Sequence, residues 1–100
     1  MAPTNDDSET AHELDELVGQ LHDHLVATAE LPIERTANRW LGEAEAVARD
    51  AATNDLDVAT TTTRVEQVRH LLTEAGELEC DTAEDHRRAA CELCERILEE

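Results

Sequence analysis

Apolar residues recur along this chain at three- and four-residue steps, the period of a helix with one buried face. From Ser8 to Glu30 the set is Ala11, Leu14, Leu17, Val18, Leu21, Leu25, Thr28 and Ala29, with Val26 outside the stripe. Ser8 offers an N-cap oxygen, and Asp6, Asp7 and Glu9 lie where the helix dipole favours negative charge. Leu31-Pro32 then breaks the period, because proline lacks an N–H and disfavours helical geometry at the residue before it. With Pro32 in its first turn, a second helix is expected from Ile33 to Ala52. Its apolar face is Ile33, Ala37, Trp40, Leu41, Ala44, Val47, Ala48 and Ala51, with Trp40 mid-stripe and expected in the core. Gly42 is expected to admit a neighbouring helix at close range.

Asn54-Asp55-Leu56-Asp57 reads as a turn rich in N-cap candidates. A third helix follows from Val58 to Ala75, with the stripe Val58, Thr61, Val65, Val68, Leu71, Leu72 and Ala75, and Gly76 as its C-terminal stop. Thr60 to Thr63 make a weak start, since β-branched residues form helix poorly. A fourth helix opens at Asp81-Thr82-Ala83-Glu84, which reads as a capping box with Asp81 as N-cap and Glu84 reaching back. Ala83, Ala90, Leu93, Cys94 and Ile97 share its apolar face.

The expected fold is all-α, an up-and-down helical bundle of three helices plus a fourth C-terminal helix. One domain over residues 8–100 follows a leader, residues 1–7, expected to be disordered. The stretch from Leu21 to Leu72 holds a helix ending near Leu31-Pro32, then Ala37-Asn38-Arg39-Trp40-Leu41-Gly42-Glu43-Ala44, an acidic turn and a third helix. This stretch resembles a family of short archaeal helical-bundle proteins of unknown function, the chain reading as a haloarchaeal member. The resemblance spans about half the chain and brings no catalytic residues. It implies a three-helix bundle to which the fourth helix is an extension.

Charge changes the picture most. The chain has 25 acidic residues against eight basic ones, all Arg, for a net charge of −17. Low hydropathy with high charge marks disorder, yet the helical period is strong. Concentrated salt reconciles the two: at about 1 M the Debye length is roughly 3 Å and surface repulsion is screened. The chain therefore reads as a cytoplasmic protein of a halophile that accumulates salt. No apolar run is long enough to span a membrane. The first residues lack the basic and apolar regions of a secretion signal. Arg35 with Arg39, and Arg87 with Arg88, are the only basic clusters, which argues against nucleic acid as a partner.

Candidate chemistry centres on the C-terminal helix. Cys80, His86, Cys91 and Cys94 are the candidate metal ligands, with Cys91 and Cys94 in a C-x-x-C pair. On one straight helix, however, His86 lies about 140° from Cys91 and about 80° from Cys94, so the three do not converge. Three cysteines in a cytoplasmic chain argue against a disulfide framework. His86 falls on the apolar stripe and reads as a buried neutral imidazole with one hydrogen-bond partner. His22 and His24 flank opposite sides of the first stripe, and His12 and His70 point outward. Glu9 and His12 match one half of a di-iron carboxylate–histidine motif, whose second half is missing. Glu13 with Glu16, and Glu74 with Glu77, have the i, i+3 spacing of Mg²⁺-binding pyrophosphatases. Among 25 carboxylates such spacings read as solvated faces.

No catalytic or cofactor-binding residue is indicated and no cofactor is expected, which argues against an enzyme. The leading reading is a non-catalytic module that binds a partner protein or itself. The alternative is a small metal-binding protein or enzyme centred on the Cys and His residues of the last helix. Val26, Cys91 and Leu98 lie outside or at the edge of their stripes. If they gather on one side, they give a surface for a homodimer.

Overall fold

The computed structural model describes residues 3–53 and 56–99, with side chains from Glu13 onward. It contains helix α1 (Pro3–Thr28), α2 (Arg35–Thr53), α3 (Val58–Ala75) and α4 (Asp81–Glu99). The first begins at Pro3, ahead of the expected Ser8, so the backbone of residues 3–7 is helical; Met1 and Ala2 lie outside the described residues. The helices form a ring in which α2 packs on α3, α1 on α4, α1 on α2 and α3 on α4. Antiparallel neighbours follow from the side chains that meet. Leu14 of α1 shares a cleft with Leu98 of α4, whereas His24, ten residues on, meets His86. The extents of 52 × 20 × 19 Å are those of aligned helices. The fourth helix closes the ring, so the extended three-helix expectation becomes a four-helix bundle.

The core explains which helices lie closest. The buried face of α1 is Leu17, Val18, Leu21, Leu25 and Thr28, and that of α3 is Thr61, Val65, Val68 and Leu72. In α2 it is Ala37, Leu41, Ala44, Ala48 and Ala51, and in α4 mainly Ala83, Ala90, Cys94 and Ile97. The tightest pairs, α2–α3 and α1–α4, thus each set a Leu/Val face against an alanine-rich one. Small side chains let the backbones approach, and the larger ones fill the seam at interior density.

The ends of the elements correct several expectations. Helix α2 starts at Arg35 because Glu34 caps it: its carboxylate accepts the N–H groups of Thr36 and Ala37, both at 3.2 Å. Pro32 therefore lies ahead of the helix and not in its first turn. Asp57 caps α3, accepting the Thr60 N–H at 2.7 Å. The threonine run is helical, with the Thr62 and Thr63 hydroxyls donating to the carbonyls of Val58 and Ala59. Asn54 and Asp55 lie outside the described residues. The capping box of α4 does not form. Asp81 is the first helical residue, and Glu84 reaches back to the N–H of Leu78 instead, at 2.9 Å.

Three packing expectations also change. Trp40 is half-buried on the flank of α2 and is not part of the core cluster, because the seam of that helix runs through Ala37, Leu41, Ala44 and Ala48. About 60° of helix rotation separates Trp40 from the middle of that seam. Gly42 is exposed, and a Cβ built on it meets nothing within 4 Å, so no helix approaches there. Val58 opens the third stripe yet is 52% exposed.

Candidate functional site

The four ligand candidates of the C-terminal segment are held apart. Cys80 precedes α4, half-buried. Cys94 faces the core, and burial pushes its thiol up to about 12. Cys91 is half-buried on the helix flank, where burial raises its thiol despite the Arg87 guanidinium, whose Nη1 lies 3.8 Å from its sulfur. Neutral thiols are poor nucleophiles and poor ligands. Among the described residues no group of three or more His, Cys, Asp or Glu side chains gathers to hold a metal.

His86 instead crosses to α1. Its Nδ1 lies 2.9 Å from Nδ1 of His24, with ring centroids 5.2 Å apart and planes tilted by 48°. His86 is therefore half-buried and not buried as expected, and its hydrogen-bond partner is a second imidazole. Two like nitrogens bond only if one ring carries its proton on Nδ1 and the other on Nε2. Beside the pair lies an open cavity of about 250 Å³ lined by Gln20, His24, Ala89, Glu92, Leu93 and Arg96. His22 points to the other side of α1 and meets Glu45 of α2 at 2.7 Å. The split of His22 and His24 across the stripe was legible in the sequence. Their partners were not, because these depend on which helices become neighbours.

The other constellations are surface features. Glu13, Glu16, Glu74 and Glu77 are exposed, as is His70. Glu9 and His12 have side chains outside the described residues. Among the described residues the buried carboxylate is Glu84, whose oxygens receive Arg87 Nε and Nη2 at 2.8 Å and Arg88 Nε at 2.9 Å. Those arginine bonds, with help from the Leu78 N–H, lower its pKa from 4.5 to about 2 despite burial.

A more enclosed apolar concavity lies at the end of the bundle. It has a volume of about 380 Å³ and is lined by Glu13, Leu14 and Leu17 of α1, Val58 and Thr62 of α3, and Ile97 and Leu98 of α4. Leu98 is thus at the end opposite Val26, some 18 Å along α1 from Leu14 at about 1.5 Å per residue. Cys91 belongs to the Arg87 side of α4. The single surface expected from Val26, Cys91 and Leu98 does not form.

A family model for a domain of unknown function, DUF8152, matches residues 17–100. The chain belongs to that family. The DUF8152 match runs through α4, so the fourth helix is part of the family's domain and not an extension of it. It also begins within α1, at Leu17, the first buried apolar residue among the described side chains. No curated protein and no solved structure matches this DUF8152 chain. No helix of the described residues is long and apolar enough to cross a membrane.

Proposed function

We propose that this DUF8152 protein is a non-catalytic interaction module of the cytoplasm of a halophilic archaeon, and that its apolar end cleft receives a segment of a partner protein. The observation that carries this reading is the cleft itself. Leu14, Leu17, Val58, Ile97 and Leu98, from three helices, line a concavity of about 380 Å³, and Val58 stays 52% exposed. That volume suits two or three apolar side chains, the usual anchors of a helix or loop docking in a groove. Glu13 stands in the lining, and the chain carries −17 overall. The complementary partner is an apolar anchor flanked by Arg or Lys. A second copy of the chain is the competing occupant.

A photoreactive amino acid at position 58, compared with one at the exposed position 39, tests the reading in high-salt host extract. Cross-links specific to position 58, mapping to an apolar segment with basic flanks and lost in Leu98→Glu, are expected. Equal cross-linking from both positions, or cross-links from position 58 to a second copy of the chain, would overturn the partner reading.

A further inference from the structure

We infer that His24 and His86 form a two-histidine site for a first-row divalent metal ion, clamping α1 to α4. The site is distinct from the end cleft and from the cysteines.

Three observations carry this. First, two residues 62 apart in sequence bring the same ring atom, Nδ1, to 2.9 Å of each other from two separate helices. Imidazole nitrogen is the commonest protein ligand for such metals. Second, the spacing is close to that of a chelate. A tetrahedral ion with metal–nitrogen bonds of about 2.0–2.1 Å holds two ligand nitrogens about 3.3 Å apart. Small side-chain rotations that turn both lone pairs toward a common point supply the difference, with the 48° tilt between the rings as the starting point. Both rings then carry their proton on Nε2, so two neutral imidazoles bind without a thiolate. Third, His24 also lines a cavity of about 250 Å³ that opens to solvent, with Glu92 and Arg96 elsewhere in its wall. Two protein ligands and an open side leave the remaining positions to water. The acidic surface, at −17, concentrates cations around the chain. Ligand type selects Ni²⁺, Cu²⁺ and Zn²⁺ over Mg²⁺.

The test is calorimetric titration of the chelator-treated full chain with Zn²⁺ and Ni²⁺, in salt that keeps it helical, with Mg²⁺ as the comparison. One equivalent of Zn²⁺ or Ni²⁺ should bind, and the thermal midpoint should rise. His24→Ala and His86→Ala should each weaken binding by more than the roughly 10–100-fold that losing a supporting partner of a ligand costs. His22→Ala and the double variant Cys80→Ser/Cys91→Ser should bind as the parent does. Circular dichroism of each variant separates lost binding from lost fold. Co²⁺ gives a second readout in the parent chain: a ligand-field spectrum with no thiolate charge-transfer band. Absence of saturable Zn²⁺ or Ni²⁺ binding, a thiolate band, or binding that survives His24→Ala would overturn the site.

Discussion

The Glu84 carboxylate meets the Arg87 guanidinium side-on, with Nε on Oε1 and Nη2 on Oε2, both at 2.8 Å. Glu84 also accepts the buried N–H of Leu78, so one side chain ties the first turn of α4 to the loop that precedes it. Glu84→Gln should therefore cost roughly 1–3 kcal/mol, because it weakens a charge-assisted bidentate pair and a buried backbone partner together. Arg87, at 16% side-chain exposure, should matter more than Arg88, at 66%. Arg88→Ala should cost below about 1 kcal/mol, as exposed pairs do. The pH dependence has a definite sign. With a folded-state pKa lowered from 4.5 to about 2, the Glu84 contribution is fully present above 4.5 and is lost as pH falls toward 2. The denaturation midpoints of the parent and Glu84→Gln should converge over that window. A gap that stays constant would place the stabilisation elsewhere.

Two glycines should respond to alanine in opposite directions. Gly76 ends α3 with φ 69° and ψ −172°, a region that residues with a Cβ almost never enter. Gly76→Ala should destabilise by about 1–3 kcal/mol. Gly42 lies inside α2, exposed, with nothing within 4 Å of a built Cβ. Gly42→Ala should stabilise by roughly 0.5–1 kcal/mol, because alanine loses less chain entropy in a helix. Urea unfolding of the two variants checks both signs, and a loss at Gly42 would mean that something packs there.

Leu41 and Trp40 are adjacent but belong to different environments. Leu41 is 2% exposed in the seam of α2, whereas Trp40 is half-buried on its flank. Leu41→Ala should cost about 2–5 kcal/mol. Trp40→Ala should cost less, on the order of 1 kcal/mol, despite removing the larger side chain. Chemical denaturation followed by far-ultraviolet circular dichroism reads both variants without relying on the tryptophan signal. The reverse order would put Trp40 in the core.

The error over Trp40 shows where sequence reasoning ends. A helical period locates a stripe to within about one side chain, and a large residue at its edge scores as well as one at its centre. The four helices, Asp57 among the candidate caps and the stop at Gly76 were all local signals and legible in the chain. Glu84 was legible as a capping residue, but its actual partners, Leu78 and Arg87, depend on how the α3–α4 loop folds back. The His24–His86 contact needs α1 beside α4, a relation between residues 62 apart that no local spacing encodes. Likewise, Leu98 showed as an edge residue, but only the antiparallel ring sets it with Leu14 and Val58.

Salt dependence is the most direct test of the halophile reading. The chain carries 25 acidic residues and eight arginines. Among the described residues, the ion pairs engage only Glu45, Asp50 and Glu84. The other described carboxylates are exposed to solvent and counterions, with Glu34 and Asp57 also accepting backbone N–H groups. In about 0.01 M salt the Debye length is roughly 30 Å, longer than the 20 × 19 Å cross-section of the bundle. Every helix then feels the charge of the other three. In about 1 M salt it is roughly 3 Å, and repulsion is confined to adjacent side chains. Far-ultraviolet circular dichroism should show a helical chain in molar KCl and a large loss of helix on dialysis to about 10 mM. The loss should reverse when salt is restored, since screening changes no covalent bond. Full helicity at the low-salt end would show that alanine-rich packing alone outweighs the repulsion, and the halophile reading would fail.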